Sequence, residues 1–230
     1  FRVMSENDDD LQLSEYAKQA LEEFFLEQKK AAESNEITED WQLSQFWYTE
    51  DTARRLAREC IEALNHPEEG PKYVACISCP SVMEQLVKQP VWIWTYLTNF
   101  TLSLLQEVES KKVIPILFEF DRRFELKYPD NFQFFDYNHN QEVVPEMANR
   151  FDLAIADPPF LSDDCQLKTA VFTRLLLRKP NNPIILCTGA TMEEIAKRAF
   201  DAVRTDFHPQ HKNNLANAFA CYTNYPPKTL

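Results

Sequence analysis

Apolar and polar positions alternate along the chain in two different rhythms. Up to about residue 64 the rhythm is helical. Leu13, Ala17, Leu21, Phe24 and Phe25 form a stripe behind an acidic tip, which predicts an amphipathic helix. A polar gap, 32–40, is followed by Trp41-Gln42-Leu43-Ser44-Gln45-Phe46-Trp47-Tyr48, a run too aromatic for an ordinary linker. Thr49 is placed to cap a second helix with Glu50 and Asp51 in its first turn. Ala53, Leu56, Ala57, Cys60, Ile61 and Leu64 fall on one face of it. The turn Asn65–Pro71 ends that helix.

From Lys72 onward short apolar runs alternate with helical segments. The runs are 73–78, 113–120, 132–136, 153–157, 184–188 and 218–225; the helical segments are 81–88, 91–109, 162–178 and 191–204. Such alternation predicts βαβ units and a parallel sheet covered on both faces. The organisation expected is an acidic helical extension over 1–40 and one α/β domain over 41–230. The uncharged stretch 89–106 is at the edge of a membrane span in length, but Ile93, Leu97, Phe100 and Leu104 repeat at helical spacing opposite Asn99 and Ser103. An amphipathic helix without a membrane is the expectation.

Composition then removes several functions. Only two of the 230 residues are glycine, Gly70 and Gly189, where average usage gives roughly sixteen. Neither a G-x-x-x-x-G-K-[ST] phosphate loop nor a G-x-G-x-x-G fingerprint can be built. Twenty-four Lys and Arg against thirty-six Asp and Glu leave a net charge of −12. That field opposes nucleic acid and favours a basic protein partner. The six cysteines are scattered, and no apolar h-region stands at the acidic N-terminus, which predicts a reducing, cytoplasmic setting. Cys76 and Cys79 make a single C-x-x-C, and one pair without a second predicts buried thiols and no metal. His208 and His211 lie in a late loop, where solvation is the expectation.

In an open α/β sheet the ligand lies at the carboxyl ends of the strands. Those ends carry Ser78-Cys79-Pro80-Ser81, Glu119 and Asp121, Asp136, Asp157-Pro158-Pro159-Phe160 and Thr188-Gly189-Ala190. Carboxylates after successive strands suit a ligand with hydroxyls and amines. The sharpest motif is Asp157-Pro158-Pro159-Phe160 behind the apolar Leu153–Ala156. Two prolines fix φ and remove two backbone donors, leaving bare carbonyls in a stiff frame. With the Asp157 carboxylate and the Phe160 ring, this frame can hold an amine by its hydrogens and aim its lone pair away.

An apolar strand ending in D-P-P-F resembles the amino-methyltransferases that use S-adenosylmethionine. Residues 41–48, 156–162, 186–190 and Asn214-Leu215-Ala216-Asn217, with Phe219 and Tyr222, occur in order. Together they resemble the elongation factor 1-alpha lysine methyltransferases, over nearly the whole chain from about Leu11. The resemblance implies a Rossmann-like seven-stranded class I methyltransferase sheet, mostly parallel with its last strand antiparallel. It implies S-adenosylmethionine as cofactor, with Ser78, Pro80 and Ser81 in the first turn, Glu119 or Asp121 at the ribose, and Asp136 with Tyr137 at the adenine. It places Gln45, Phe46, Trp47 and Tyr48 over the cofactor or substrate channel; the alternative for Phe46 is a staple of the N-terminal helices onto the sheet. Asp157, Pro158, Pro159 and Phe160 become the catalytic motif, and Phe160, Asn214 and Asn217 the substrate side.

Two features depart from the family's pattern. Ser78-Cys79-Pro80-Ser81 stands where a Gly-rich turn is usual, and 90–109 reads as a helical insertion. The expected reaction is lysine N-methylation of elongation factor 1-alpha by a monomer. An adenine-N6 methyltransferase and a non-catalytic scaffold of the same fold are the alternatives.

Overall fold

The computed structural model describes residues 37–64, 70–88, 113–139, 145–213, 215 and 217–230. Glu39–Leu230 form one compact unit. The expected N-terminal helix and the 90–109 insertion lie outside the described residues.

Seven strands form one sheet: β1 (Lys72–Ile77), β2 (Val113–Glu119), β3 (Phe132–Phe134), β4 (Leu153–Ala156), β5 (Ile184–Gly189), β6 (Val203–Arg204) and β7 (Phe219–Thr223). Their order is β3-β2-β1-β4-β5-β7-β6. The first five run parallel, and β7 is antiparallel to both β5 and β6. β4 and β5 are buried throughout, the continuous apolar pattern of strands covered on both faces. On one face Phe118 meets Phe151 and Phe172 edge-on, with ring centroids 5.5 and 5.3 Å apart.

The helices are α1 (Glu50–Ala63), α2 (Pro80–Lys88), α3 (Arg123–Lys127), α4 (Asp163–Leu176) and α5 (Glu193–Phe200). The Thr49 side chain accepts from the Thr52 N–H at the start of α1, and Ser162 accepts from Cys165 at the start of α4. Both satisfy donors that a helix end leaves open. Glu59, buried on α1, accepts from the Tyr225 hydroxyl, the Lys228 and Thr229 N–H groups and the Thr229 hydroxyl. One carboxylate thereby ties α1 to the C-terminal tail.

Two expectations need correction. The helix expected over 191–204 stops at Phe200, because Asp201 turns left-handed (φ 57°). The chain then re-enters the sheet as β6. The five-residue α3 was not expected; it is too short to leave a periodic signal.

The sheet order reverses between β1 and β4. Strands β2 and β3 extend one way from β1, while β5 and β7 extend the other way from β4. A crevice opens at the carboxyl ends on either side of such a point, here between Ser78 and Asp157.

Candidate active site

Several stretches of chain line a cavity of about 340 Å³ over that crevice. The size suits a small-molecule ligand. The turn after β1 brings Ser78, Cys79, Pro80 and Ser81; the ends of β2 and β3 bring Glu119, Asp136 and Tyr137; the end of β4 brings Asp157–Phe160; and Gln45–Tyr48 cover them.

The first turn does without glycine. Ser78 itself takes the left-handed conformation, φ 54°, at a cost of about 1 kcal/mol. Its N–H donates to the Phe118 carbonyl at 2.8 Å. Pro80 then opens α2, where its fixed φ is suited to the first helical position. The Cys79 thiol donates to the Ile155 carbonyl at 3.6 Å, and Cys76 and Cys79 are both buried free thiols.

Glu119 and Asp121, expected on one strand face, differ in situation: β2 ends at Glu119, and Asp121 lies two residues beyond it. Asp121 accepts from Arg123 Nε and from Gln45 Nε2 at 3.0 Å, and pairs with Arg123 at 2.7 Å. It does not line the cavity. Its burial works against ionisation, but the Arg123 bonds and Gln45 outweigh it and hold its carboxyl below the usual range. Glu119 does line the cavity. Burial, despite the N–H groups of Phe120 and Asp121, pushes its carboxyl up to about 7. Asp136 accepts from the Asn138 N–H and His139 Nδ1. Those contacts overcome its burial and lower its pKa.

At the motif the Asp157 N–H donates to the Ile77 carbonyl at 3.0 Å, extending the β1–β4 ladder by one bond. Burial, with the Glu119 charge adding to it, pushes the Asp157 carboxyl up to about 8. The buried Tyr48 hydroxyl opposes this rise; among the described residues neither it nor the Trp47 indole N–H reaches a partner within hydrogen-bond geometry. Phe160 is 44% exposed, edge-on to Tyr137 at 5.7 Å. Fully buried Gln166 donates from one nitrogen to the Phe160 carbonyl (3.1 Å) and the Thr188 hydroxyl (3.0 Å). Gly189 leaves room for Leu161, whose methyls would stand 2.9 Å from an added Cβ.

The covering segment is held at both ends. Glu39 accepts the Trp47 N–H at 2.7 Å, and Gln45 Oε1 accepts the Asp40 N–H at 3.1 Å. Beyond it, Thr49 donates to the Gln210 carbonyl and Lys212 to the Trp47 carbonyl, both at 2.8 Å. Tyr48 and His211 thus face each other as an antiparallel bridge. His211, expected to be solvated, instead lines the cavity; exposed His208 does not. Local spacing gives no signal for this, because Gln210 and Thr52 meet across 158 residues. Phe120, Phe135 and Phe219 are further wall residues. Asn217 is exposed on the loop before β7 and away from the cavity, and Asn214 lies outside the described residues.

Tyr48 and Trp47, whose buried donors have no partner among the described residues, and Glu119 and Asp157, whose carboxyls are raised, all belong to the lining of this cavity. This is the donor and acceptor set of a site for a ligand that carries hydroxyls, amines and positive charge. Among the described residues no helix is long and apolar enough to cross a membrane.

A family model described as "Probable N6-adenine methyltransferase" matches residues 39–227. The chain is 42% identical over 230 residues to EEF1A lysine methyltransferase 1 of Mus musculus, covering 96% of this chain and 95% of that protein. It is 40% identical to protein-lysine N-methyltransferase M142.8 of Caenorhabditis elegans, covering 99% of this chain and 100% of that one. It is 36% identical to protein-lysine N-methyltransferase EFM5 of Saccharomyces cerevisiae, covering 89% and 79%. A branched-chain polyamine synthase of Thermus thermophilus superposes with a TM-score of 0.51 at 12% identity, covering 86% of this chain and 61% of that chain. That likeness is one of fold.

Proposed function

The chain belongs to the EEF1A lysine methyltransferase family, and on that premise we propose that it methylates a lysine of elongation factor 1-alpha with S-adenosylmethionine as donor. The observation that carries the reading is the likeness, along the whole chain, to proteins named for lysine methylation, with Asp157–Phe160 standing in a cavity wall beside Glu119. The net charge of −12 adds to it, by favouring encounter with a basic protein. In this reading a monomer suffices, since the residues assigned to cofactor and amine line one cavity of one chain.

In this reading Glu119 accepts from the ribose hydroxyls. Asp121 is committed to Gln45 and Arg123, where it anchors the covering segment. Asp136 faces the adenine amine, with Tyr137 beside it. Bound S-adenosylmethionine supplies a methyl group made electrophilic by a sulfonium.

The protein must supply a neutral amine. A free lysine has a pKa near 10.4, so only about one in two thousand is neutral at pH 7. Burial lowers that value, because the charged form loses water. Asp157, its pKa raised to about 8 by burial and by Glu119, has no Lys or Arg beside it among the described residues of the cavity wall. A cation entering the cavity restores its carboxylate. Asp157 and the Pro158 carbonyl then hold the amine by its hydrogens, so that the lone pair points at the methyl carbon. That lone pair is freed when the ammonium passes one proton to Asp157 and out to solvent. The N–C bond then forms as the donor's S–C bond breaks, with the bonding pair left on sulfur as a neutral thioether. The positive charge is left on the methylated nitrogen, which gives up a second proton to solvent. Phe160 lies along the methylene stem and the ammonium face. Alignment and fixed dipoles provide the acceleration, and no covalent intermediate on the protein is needed.

The test is label transfer from methyl-labelled S-adenosylmethionine into a cell extract, divided between protease and nuclease. Label lost only to protease, in a band the size of elongation factor 1-alpha, is expected. Label lost to nuclease would replace this reading with adenine methylation.

A further inference from the structure

Sheet order keeps the two sides of the cavity apart. Glu119 and Asp136 reach it from β2 and β3, on one side of the motif that ends β4. Beyond the motif on the other side, Gly189 at the end of β5 pairs with Phe219 of β7. There the wall is made of aromatic rings packed tilted and edge-on. The His211 ring lies 4.8 Å from Tyr48 and 4.6 Å from Phe219, edge-on to the latter at 70°.

His211 is fixed by its backbone. It bridges to Tyr48, its neighbour Lys212 donates to Trp47, and Gln210 donates to the Thr52 hydroxyl. Burial pulls the imidazole down to about 4 against a weak opposing pull from Glu39, so the ring is neutral at physiological pH. Among the described residues, all the carboxylates of the cavity wall lie at the motif or on the β2–β3 side. A nucleoside, with hydroxyls and an exocyclic amine, matches that polar side. Four methylenes ending in an amine match flat, uncharged rings.

We infer that His211, backed by Tyr48 and Phe219, forms the wall along which the substrate lysine reaches Asp157. The inference rests on the lysine reading above. The ring serves by its flat, neutral face: it packs on the methylene stem and adds no positive charge to repel the ammonium. It is a specificity-determining residue of the substrate side and stands apart from cofactor binding.

The experiment measures KM for elongation factor 1-alpha and Kd for S-adenosylmethionine in the full chain and in three variants. His211→Ala is expected to raise KM about tenfold, the scale of a lost ring–cation contact. The cofactor Kd should stay within about twofold and kcat should change less than KM. His211→Phe should recover most of the lost KM, and His211→Lys should be worse than alanine. Should the alanine chain fail to fold, the order of the Phe and Lys variants carries the same test. An unmoved KM in the alanine variant, or a matching rise in cofactor Kd, overturns the inference. So does a phenylalanine variant no better than alanine, which would make the imidazole nitrogen a proton acceptor. Absence of protein labelling by the unaltered chain overturns the lysine reading itself; labelling with an unmoved KM in the variants overturns the wall alone.

Discussion

On the β2–β3 side of the cavity, Glu119 is the last residue of its strand and Asp136 lies two residues beyond the end of the next. On the β5–β7 side, His211 meets both Tyr48 and Phe219, through pairing between segments 158 residues apart. The first side is polar and follows from where strands stop. The second is aromatic and follows from how distant segments dock. A cavity can thus place carboxylates by strand length alone, whereas an uncharged channel for a cation needs a cover that excludes water from both ends.

The motif between the two sides is where the comparison breaks most completely. Asp157→Ala should lower methyl transfer about a thousandfold while leaving the circular dichroism unchanged, because it removes the group that aims the amine. Near-normal transfer in that variant would sink the mechanism.

The polar side is sharpened next by treating its two carboxylates separately. Glu119→Gln should weaken cofactor binding by about thirtyfold, the scale of hydrogen bonds to a charged acceptor. Asp121→Asn should cost about 1 kcal/mol of stability through the Arg123 and Gln45 bonds and change cofactor affinity far less. Isothermal titration and melting curves on both proteins decide the assignment, and the reverse pattern would exchange the two roles.

A smaller effect is expected from the support of the motif. Gln166 joins the Phe160 carbonyl to Thr188 at the end of β5. Gln166→Leu should lower kcat about tenfold with little change in cofactor affinity, since the loop that presents the acceptors loses its tether. An unchanged kcat in single-turnover kinetics would show that the prolines alone hold the loop.

The smallest effect is on stability. Asp157 titrates higher in the folded chain (about 8) than in an unfolded one. The folded state therefore binds its proton more tightly, and stability is lost as pH rises from the unfolded value toward 8. Asp157→Asn removes this penalty. The ligand-free variant should melt higher than the parent by about 5 °C at pH 8 and by less at pH 5. Equal shifts at both pH values would mean that the carboxyl is not charged against its surroundings.

Most of the sheet and half of the site were legible along the chain. The five apolar runs before residue 190 became β1 to β5 to within about two residues at each end, because a strand buried on both faces must be apolar throughout. Thr49 marked the start of α1, because a cap acts within three residues of itself. Asp157-Pro158-Pro159-Phe160 stood out because its chemistry is contiguous. The edge strand β6 was hidden inside an apparent helix. Its two exposed residues carry no pattern of their own, and only the left-handed turn at Asp201 and pairing with β7 place them in the sheet.

The sequence by itself determined the parallel sheet, its capped helices and the motif at the end of β4, because each is encoded by spacing or chemistry within a few residues. Only the tertiary structure decided that Glu119 opens on the cavity while Asp121 serves Arg123 and Gln45. Two carboxylates at a strand's end are equivalent by spacing until the strand stops and partners from elsewhere claim one of them. It alone brought His211 out of its loop and against Tyr48, because a contact across more than half the chain depends on the register of docking, which no local pattern records.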